Sequence, residues 1–231
     1  MSSKYFRTPH LPFSEGSTSD DKRISDVSPF IGRRIIMTRK MDGSNTALEH
    51  DACYSRSHGG MPTHSSFDMF KRGWSAFRND IPPRWSIFGE WLFAVHSIVY
   101  RNFSDSMNAY PFMTFGVRNN DTMVWKSWDE VVAIADMMSL EYVPKLFDGI
   151  VDSEKELQDI LMRVHRAKDI NYDGDNEGVV VRIADSFHDT ESVRSVCKFV
   201  RLGHVQTNEH WANQPVVRNG MSDSYYDSIV Q

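Results

Sequence analysis

Short apolar segments rich in β-branched and aromatic residues predict that strands dominate this chain. The segment RRIIMTRKMDG predicts a strand that ends at the turn pair Asp42-Gly43, and TALEHDACYSRS predicts the two strands of a hairpin. Further strands are predicted for the segments WSIFGEWLFAV, PFMTFGV, TMVW, GVVVRIA and SVRSVCKFVRL. Residues 14–29 are rich in Ser and Asp and predict an irregular lead-in.

Helical spacing occurs in three places between the predicted strands. Apolar side chains recur at helical intervals in the segment 66–79, and two further helices are predicted at about 127–138 and 153–167. Strands and helices do not alternate regularly, so a doubly wound parallel sheet is not expected. The pattern favours an α+β fold, in which helices flank antiparallel sheets.

Length and composition indicate one globular domain. The 231 residues are 40% hydrophobic and 25% charged, which is ordinary for a folded chain. We expect a main domain over 31–203, an irregular lead-in over 1–30 and a short tail over 204–231. No apolar run approaches the roughly 18 residues of a membrane span, and the start lacks a secretory signal. With only two cysteines in the chain, we expect a cytoplasmic protein without a disulfide framework.

Charge is distributed unevenly around a net value of −5. Residues 1–126 carry 16 Lys and Arg against 12 Asp and Glu, while residues 127–191 carry 6 against 16. The mildly cationic first part suits contact with phosphates. The acidic part has two interpretations: a segment that faces away from a phosphate-containing partner, or simply the solvated side of two helices.

The most informative string is Lys40-Met41-Asp42-Gly43-Ser44-Asn45, directly after a predicted strand. A lysine at a strand end can be held rigidly, and it becomes a nucleophile when burial or neighbouring cations depress its pKa. Arg39 is one such neighbour. The alternative is a surface lysine beside an ordinary Asp-Gly turn.

Five further motifs follow this string in a fixed order. They are Tyr54-Ser55-Arg56-Ser57, Phe88-Gly89-Glu90-Trp91, Phe115-Gly116-Val117, Glu177-Gly178-Val179-Val180 and Cys197-Lys198-Phe199-Val200-Arg201. From about Arg33 to Arg201 the chain thereby resembles the covalent nucleotidyltransferases, the superfamily of ATP-dependent ligases and capping enzymes. Its closest likeness is to the ATP-dependent RNA ligases, because EWLFAVHSIVY is more similar to that family than to the others.

The resemblance implies a ligase adenylylation domain and a role for each motif. Lys40 corresponds to the lysine that attacks the α-phosphorus of ATP and becomes adenylylated. Glu90 corresponds to the acceptor of a ribose hydroxyl, and Phe115 to the aromatic that stacks on adenine. Arg56 corresponds to an arginine near the ribose or the incoming strand, and contacts near Thr38 are expected to be made by the backbone.

The resemblance also implies a divalent cation, Mg²⁺ or Mn²⁺. Glu177 corresponds to the glutamate that holds the metal, and Lys198 to the lysine that contacts the α-phosphate. Asn45 corresponds to an asparagine near the 5′-phosphate.

Two departures from the family pattern stand out. Arg39 occupies a position where relatives often carry an acid. Lys198 lacks the second lysine that relatives often carry one residue away, for which Arg201 is the candidate substitute.

The resemblance therefore implies an ATP-dependent RNA ligase that joins a 5′-phosphate to a 3′-hydroxyl through a lysyl-AMP intermediate and an adenylylated 5′ end. The predicted partners are RNA ends and not a membrane; no protein partner is indicated. The alternatives are a DNA nick-sealing ligase or a capping-type guanylyltransferase, both of which usually carry an OB-fold domain after the last motif. The 30 residues after Arg201 are too few for that five-stranded barrel, so no OB-fold domain is expected. A non-catalytic nucleotide- or RNA-binding module is less consistent with the intact motif residues.

Overall fold

The computed structural model describes residues 4–16, 21–56, 60–167, 176–203 and 215–222. The strands in these ranges are β1 (Arg34–Lys40), β2 (Ser44–Leu48), β3 (Cys53–Ser55), β4 (Trp85–Trp91), β5 (Phe112–Asn119), β6 (Val124–Trp125), β7 (Glu141–Tyr142), β8 (Lys145–Ile150), β9 (Gly178–Ile183), β10 (Phe187–His188) and β11 (Val196–Val200). The α-helices in the same ranges are α1 (Asp68–Phe77), α2 (Asp105–Ala109), α3 (Trp128–Met137), α4 (Glu154–Arg166) and α5 (Ser192–Ser195).

The strands form two sheets. One sheet has the order β11-β9-β1-β8, and the other has the order β10-β6-β5-β4-β2-β3, with β7 added parallel to β5. The remaining pairings are antiparallel. The predicted α+β class is therefore confirmed, and the described residues contain no OB-fold barrel.

The chain passes from the first sheet to the second between β1 and β2, and buried side chains fill both sides of this crossing. Ile35 and Met37 pack into one apolar cluster, while Ile36 between them packs into the other. This alternation is the period of two that a strand imposes on its side chains. Because both faces of β1 are buried, the strand end that carries Lys40 is held firmly.

Apolar spacing marks helix α1, and a capping motif marks helix α3. In α1 the buried positions are Phe70 and Trp74, four residues apart. Helix α3 begins with a capping box, in which Ser127 and Glu130 each accept a hydrogen bond from the other's backbone N–H. Both helices, and α4, lie where the sequence predicts them.

Several parts of the secondary structure differ from the prediction, which did not contain α2, β7 or β10. The segment SVRS, predicted as the start of a strand, forms helix α5, and the strand begins only at Val196. Strand β8 was not predicted, although it pairs with β1 along the edge of the first sheet. Its residues are half-buried or exposed and include the charged Lys145 and Asp148, so it lacks the clear alternation that marks a strand.

The described part of the lead-in packs on the first sheet. Pro9 and Leu11 of the lead-in form backbone hydrogen bonds with Lys198 of β11, at 2.9 Å each. Most of the tail 204–231 lies outside the described residues, and the division at 30 and 203 stays a prediction. Within the described ranges, no helix has the length and apolar character to cross a bilayer.

Candidate active site around Lys40

The site is built on the turn between β1 and β2. Lys40 ends β1 and pairs with Gly178 at the start of β9, so Glu177 lies directly beside it. Gly43 in the turn approaches β4 closely, because a Cβ there would lie 2.6 Å from the carbonyl oxygen of Trp91. The Asp-Gly turn therefore permits the two sheets to meet at the lysine.

Lys40 and Glu177 form a close ion pair. Lys40 Nζ lies 2.6 Å from Glu177 Oε1, and the side chain of Glu177 is only 9% exposed. Burial lowers the pKa of Lys40, but the carboxylates of Glu177, Glu90 and Asp42 outweigh burial and leave this pKa raised. The expectation of a depressed pKa for Lys40 is thus wrong, because the neighbouring acidic groups stabilise the ammonium form.

Glu90 lies on β4 opposite Asn45 of β2. Its Oε1 accepts a hydrogen bond of 3.1 Å from the backbone N–H of Gly43. Burial, only partly offset by the charge of Lys40, raises the pKa of Glu90 to about 8. The carboxyl group therefore holds its proton more strongly than an exposed glutamate does, and in the protonated form it provides both a hydrogen-bond donor and an acceptor.

We expect Glu90→Gln to change how stability depends on pH. Because the pKa of Glu90 is raised from 4.5 to about 8, the folded protein binds more protons in this interval than the unfolded chain. Wild-type stability therefore falls as pH rises through it, whereas glutamine remains neutral. As pH rises across the interval, the melting temperature of the variant should increase relative to that of wild type. A difference that stays constant, as expected for the exposed control Glu154→Gln, would contradict a raised pKa.

Lys198 lies on β11, opposite Val180 of β9. Burial and the nearby charge of Lys40 lower the pKa of Lys198. Arg201 does not line the cavity around Lys40; its Nε donates to the carbonyl oxygen of Asn176, at 3.0 Å, next to Glu177. Arg201 therefore supports the segment that carries Glu177, and its role as a substitute for a second lysine stays a prediction.

A cavity of about 1040 Å³ brings the predicted site residues together. Eight of the nine predicted residues line the cavity. The ninth, Glu177, lies behind this lining and forms the ion pair with Lys40. The eight are Thr38, Arg39, Lys40, Asn45, Arg56, Glu90, Phe115 and Lys198. Arg39 is buried, and its backbone N–H donates to the carbonyl oxygen of Pro144 at 2.9 Å, so this amide is already occupied. A cavity of this size is in the range of small-molecule and cofactor sites.

Tyr5 and Arg182 are among the further residues that line the cavity and that sequence analysis missed. The ring of Tyr5, from the lead-in, stands edge-on to Phe115 with ring centroids 5.0 Å apart, and burial raises the pKa of Tyr5 to about 12. Arg182 of β9 donates to the carbonyl oxygen of Phe115 at 3.3 Å, and burial lowers its pKa to about 10. A charged residue in the apolar segment GVVVRIA was the available signal for Arg182, whereas no pattern marked Tyr5.

Glu177 has the properties of a divalent-cation ligand. Its Oε2 is buried and makes no hydrogen bond to any residue that the structure describes. The described ranges hold no group of three His, Cys, Asp or Glu residues placed to bind a metal. Magnesium is commonly held by one or two carboxylates together with phosphate oxygens, and this donor set fits that arrangement.

Known structures share this fold. A mutant of the Naegleria gruberi RNA ligase with ATP and Mn aligns with a TM-score of 0.52 at 14% identity, over 86% of this chain and 60% of that protein. Another mutant of this ligase with ATP and Mn aligns with a TM-score of 0.55 at 12% identity, over 87% of this chain and 62% of that protein. An archaeal ATP-dependent RNA ligase aligns with a TM-score of 0.51 at 16% identity, over 83% of this chain and 48% of that protein.

These structures are longer than this chain, which spans less than two thirds of their length. No curated protein matches the chain significantly by sequence. The sequence model of the family described as RNA ligase, however, matches residues 33–200, which include all nine predicted site residues. The resemblance seen in the motifs is confirmed: this chain belongs to the RNA ligase family.

Proposed function

We propose that the protein is an ATP-dependent RNA ligase that uses Lys40 as its nucleophile. The observation that carries the proposal is the ion pair between Lys40 and Glu177, held at 2.6 Å beside a cavity of about 1040 Å³. An amine at the edge of a nucleotide-sized cavity suits covalent transfer of a nucleotidyl group. Membership of the RNA ligase family and the solved ligases with ATP and Mn support the same activity.

In the proposed first step, the neutral amine of Lys40 attacks the α-phosphorus of ATP. A P–N bond forms, the bond to the pyrophosphate oxygen breaks, and the amine loses its proton. Lys198 stabilises negative charge that develops on the α-phosphate, since a cation held in place needs no reorganisation during the reaction. Glu177 would hold Mg²⁺ or Mn²⁺, which would withdraw charge from the phosphates and compete with Lys40 for the carboxylate.

The nucleotide is proposed to occupy the cavity with its base near Phe115. Glu90 lies beside the Gly43 amide, where its carboxyl group can hydrogen-bond the ribose. The ring of Phe115 offers an aromatic surface for adenine, and Arg182 fixes the backbone that carries this ring. Thr38 and Arg39 form the adjoining wall through β1.

Two further steps complete the proposed reaction. An oxygen of the RNA 5′-phosphate attacks the lysyl-AMP phosphorus, the P–N bond breaks, and AMP is transferred to the RNA end. The 3′-hydroxyl of a second end then attacks this 5′-phosphate and releases AMP, which leaves a phosphodiester bond. Asn45 and Arg56 are proposed to contact the strand ends, because both line the cavity beyond the Lys40 turn.

A sealing assay tests this function. We expect purified protein with ATP and Mg²⁺ to join an RNA 3′-hydroxyl to a 5′-phosphate, and to join matched all-DNA ends poorly, because the 2′-hydroxyl distinguishes the two. Matched RNA, DNA and chimeric ends, single-stranded and nicked, are compared on gels at fixed salt, because phosphate contacts weaken as salt rises. Equal sealing of an all-DNA nick would favour a DNA ligase instead, and labelling by GTP as efficient as by ATP would favour a capping-type enzyme.

A further inference from the structure

A segment beyond the family match packs against the loop that follows β4. The match ends at residue 200, whereas residues 215–222 lie along the loop 92–100. Three backbone hydrogen bonds join the two stretches: Val95 N–H donates to Val217 O at 2.8 Å, Asn219 N–H to Phe93 O at 2.9 Å, and Gly220 N–H to Tyr100 O at 2.7 Å. The segment thus fixes the shape of a loop that has little regular structure of its own.

Asn219 is the centre of this contact and is only 1% exposed. Its Nδ2 donates to the carbonyl oxygens of Leu92 and Ala94, at 3.0 and 3.1 Å. Its Oδ1 accepts a hydrogen bond of 2.9 Å from the backbone N–H of Tyr100. One buried amide therefore ties together three points of the loop, and loss of these buried hydrogen bonds is costly because the partners cannot reach water.

The loop in turn holds the turn that carries the nucleophile. The hydroxyl oxygen of Tyr100, a residue only 2% exposed, accepts a hydrogen bond of 2.8 Å from the backbone N–H of Asp42. Asp42 Oδ2 accepts hydrogen bonds from the backbone N–H groups of Ser97 and Ile98, at 2.7 and 2.9 Å. Asp42 lies two residues after Lys40, so one hydrogen bond through its backbone and two through its side chain tie this residue to the loop.

We propose that Asn219 is a positioning residue for Lys40, acting through Tyr100 on Asp42. The inference rests on the proposed function, because positioning matters when the amine must meet the α-phosphorus in line. A reacting group displaced by about 1 Å can lose about 10²-fold in rate. The segment 215–222 then contributes to adenylylation without touching the nucleotide.

The test uses single-turnover labelling of the full chain with ATP and Mg²⁺. We expect Asn219→Ala and Tyr100→Phe each to slow AMP transfer at saturating ATP by roughly 10- to 100-fold, with the ATP concentration for half-maximal rate nearly unchanged. Tyr100→Phe removes a single oxygen atom and keeps the buried ring. It therefore separates positioning from any folding defect of Asn219→Ala.

The double variant distinguishes a shared route from two independent defects. If Asn219 acts through Tyr100, the double variant should be no slower than the slower single variant, whereas independent effects would multiply. Arg218→Ala is the matched control. Arg218 belongs to the same segment but contacts Phe93 and the carbonyl oxygen of Asn108, so its loss should leave the labelling rate within about twofold.

Amide hydrogen exchange gives a readout that does not depend on activity. Exchange in peptides that cover residues 41–45 should be faster in Asn219→Ala and Tyr100→Phe than in wild type and Arg218→Ala. Unchanged exchange, unchanged labelling rates or multiplying effects would each overturn the positioning role. A wild-type chain that takes no AMP label would instead overturn the proposed function, while the exchange data would still decide whether Asn219 orders the Asp42 turn.

Discussion

Replacing Lys40 with alanine is expected to abolish covalent labelling of the protein by ATP. In the proposed reaction the Lys40 amine supplies the nitrogen of the P–N bond, so the substitution removes the attacking group. Labelled ATP with Mg²⁺ or Mn²⁺ should give wild type one AMP, detected by intact mass. The label should be acid-labile and alkali-stable, as a phosphoramidate requires, and peptide mapping should locate it at Lys40.

Two variants make this result specific. Lys40→Arg retains a cation opposite Glu177 but cannot form the intermediate, so it should fold like wild type and take no label. Lys155→Ala removes an exposed lysine of α4 whose ion pair with Asp159, at 2.6 Å, matches that of Lys40 in length. It should label normally. AMP attached to either Lys40 variant would show that another residue is the nucleophile.

The candidate site is largely predictable because its residues sit at the ends of strong strands. Lys40 follows the apolar run of β1, and Glu177 precedes the apolar run of β9, so the motif positions are bound to elements with clear patterns. Antiparallel pairing of those two strands then places the ammonium and the carboxylate side by side. The motifs thus assign both residues to strand ends, whereas the pairing of the two strands is seen in the structure.

Other features depend on contacts between distant segments, which no local pattern encodes. Strand β8 lies at a sheet edge, where a charged exposed face removes the alternation that would mark it. The direction of the Lys40 pKa follows from the balance between burial and three carboxylates, and that balance requires the folded geometry. The position of Tyr5 in the cavity likewise depends on a long-range contact, because this residue comes from an irregular segment.

The second large effect is expected for Glu177→Gln. This substitution keeps the size of the side chain but removes the charge that pairs with Lys40 and that would hold the cation. Loss of a single group that stabilises transition-state charge typically costs about 10²- to 10³-fold in rate, so labelling at saturating ATP should fall by that order. Glu154→Gln on the exposed start of α4 is the control and should label at the wild-type rate.

The pH dependence of the residual labelling separates the two roles of Glu177. Its negative charge raises the pKa of Lys40, so the neutral form of this amine, which attacks, becomes abundant only at higher pH. Without that charge the pKa of Lys40 falls, and the rise of the Glu177→Gln rate with pH should shift to lower pH. A slow variant with an unshifted profile would mean that Glu177 acts on the cation and phosphates alone. A shifted profile with a wild-type maximal rate would mean that it controls only the proton on Lys40.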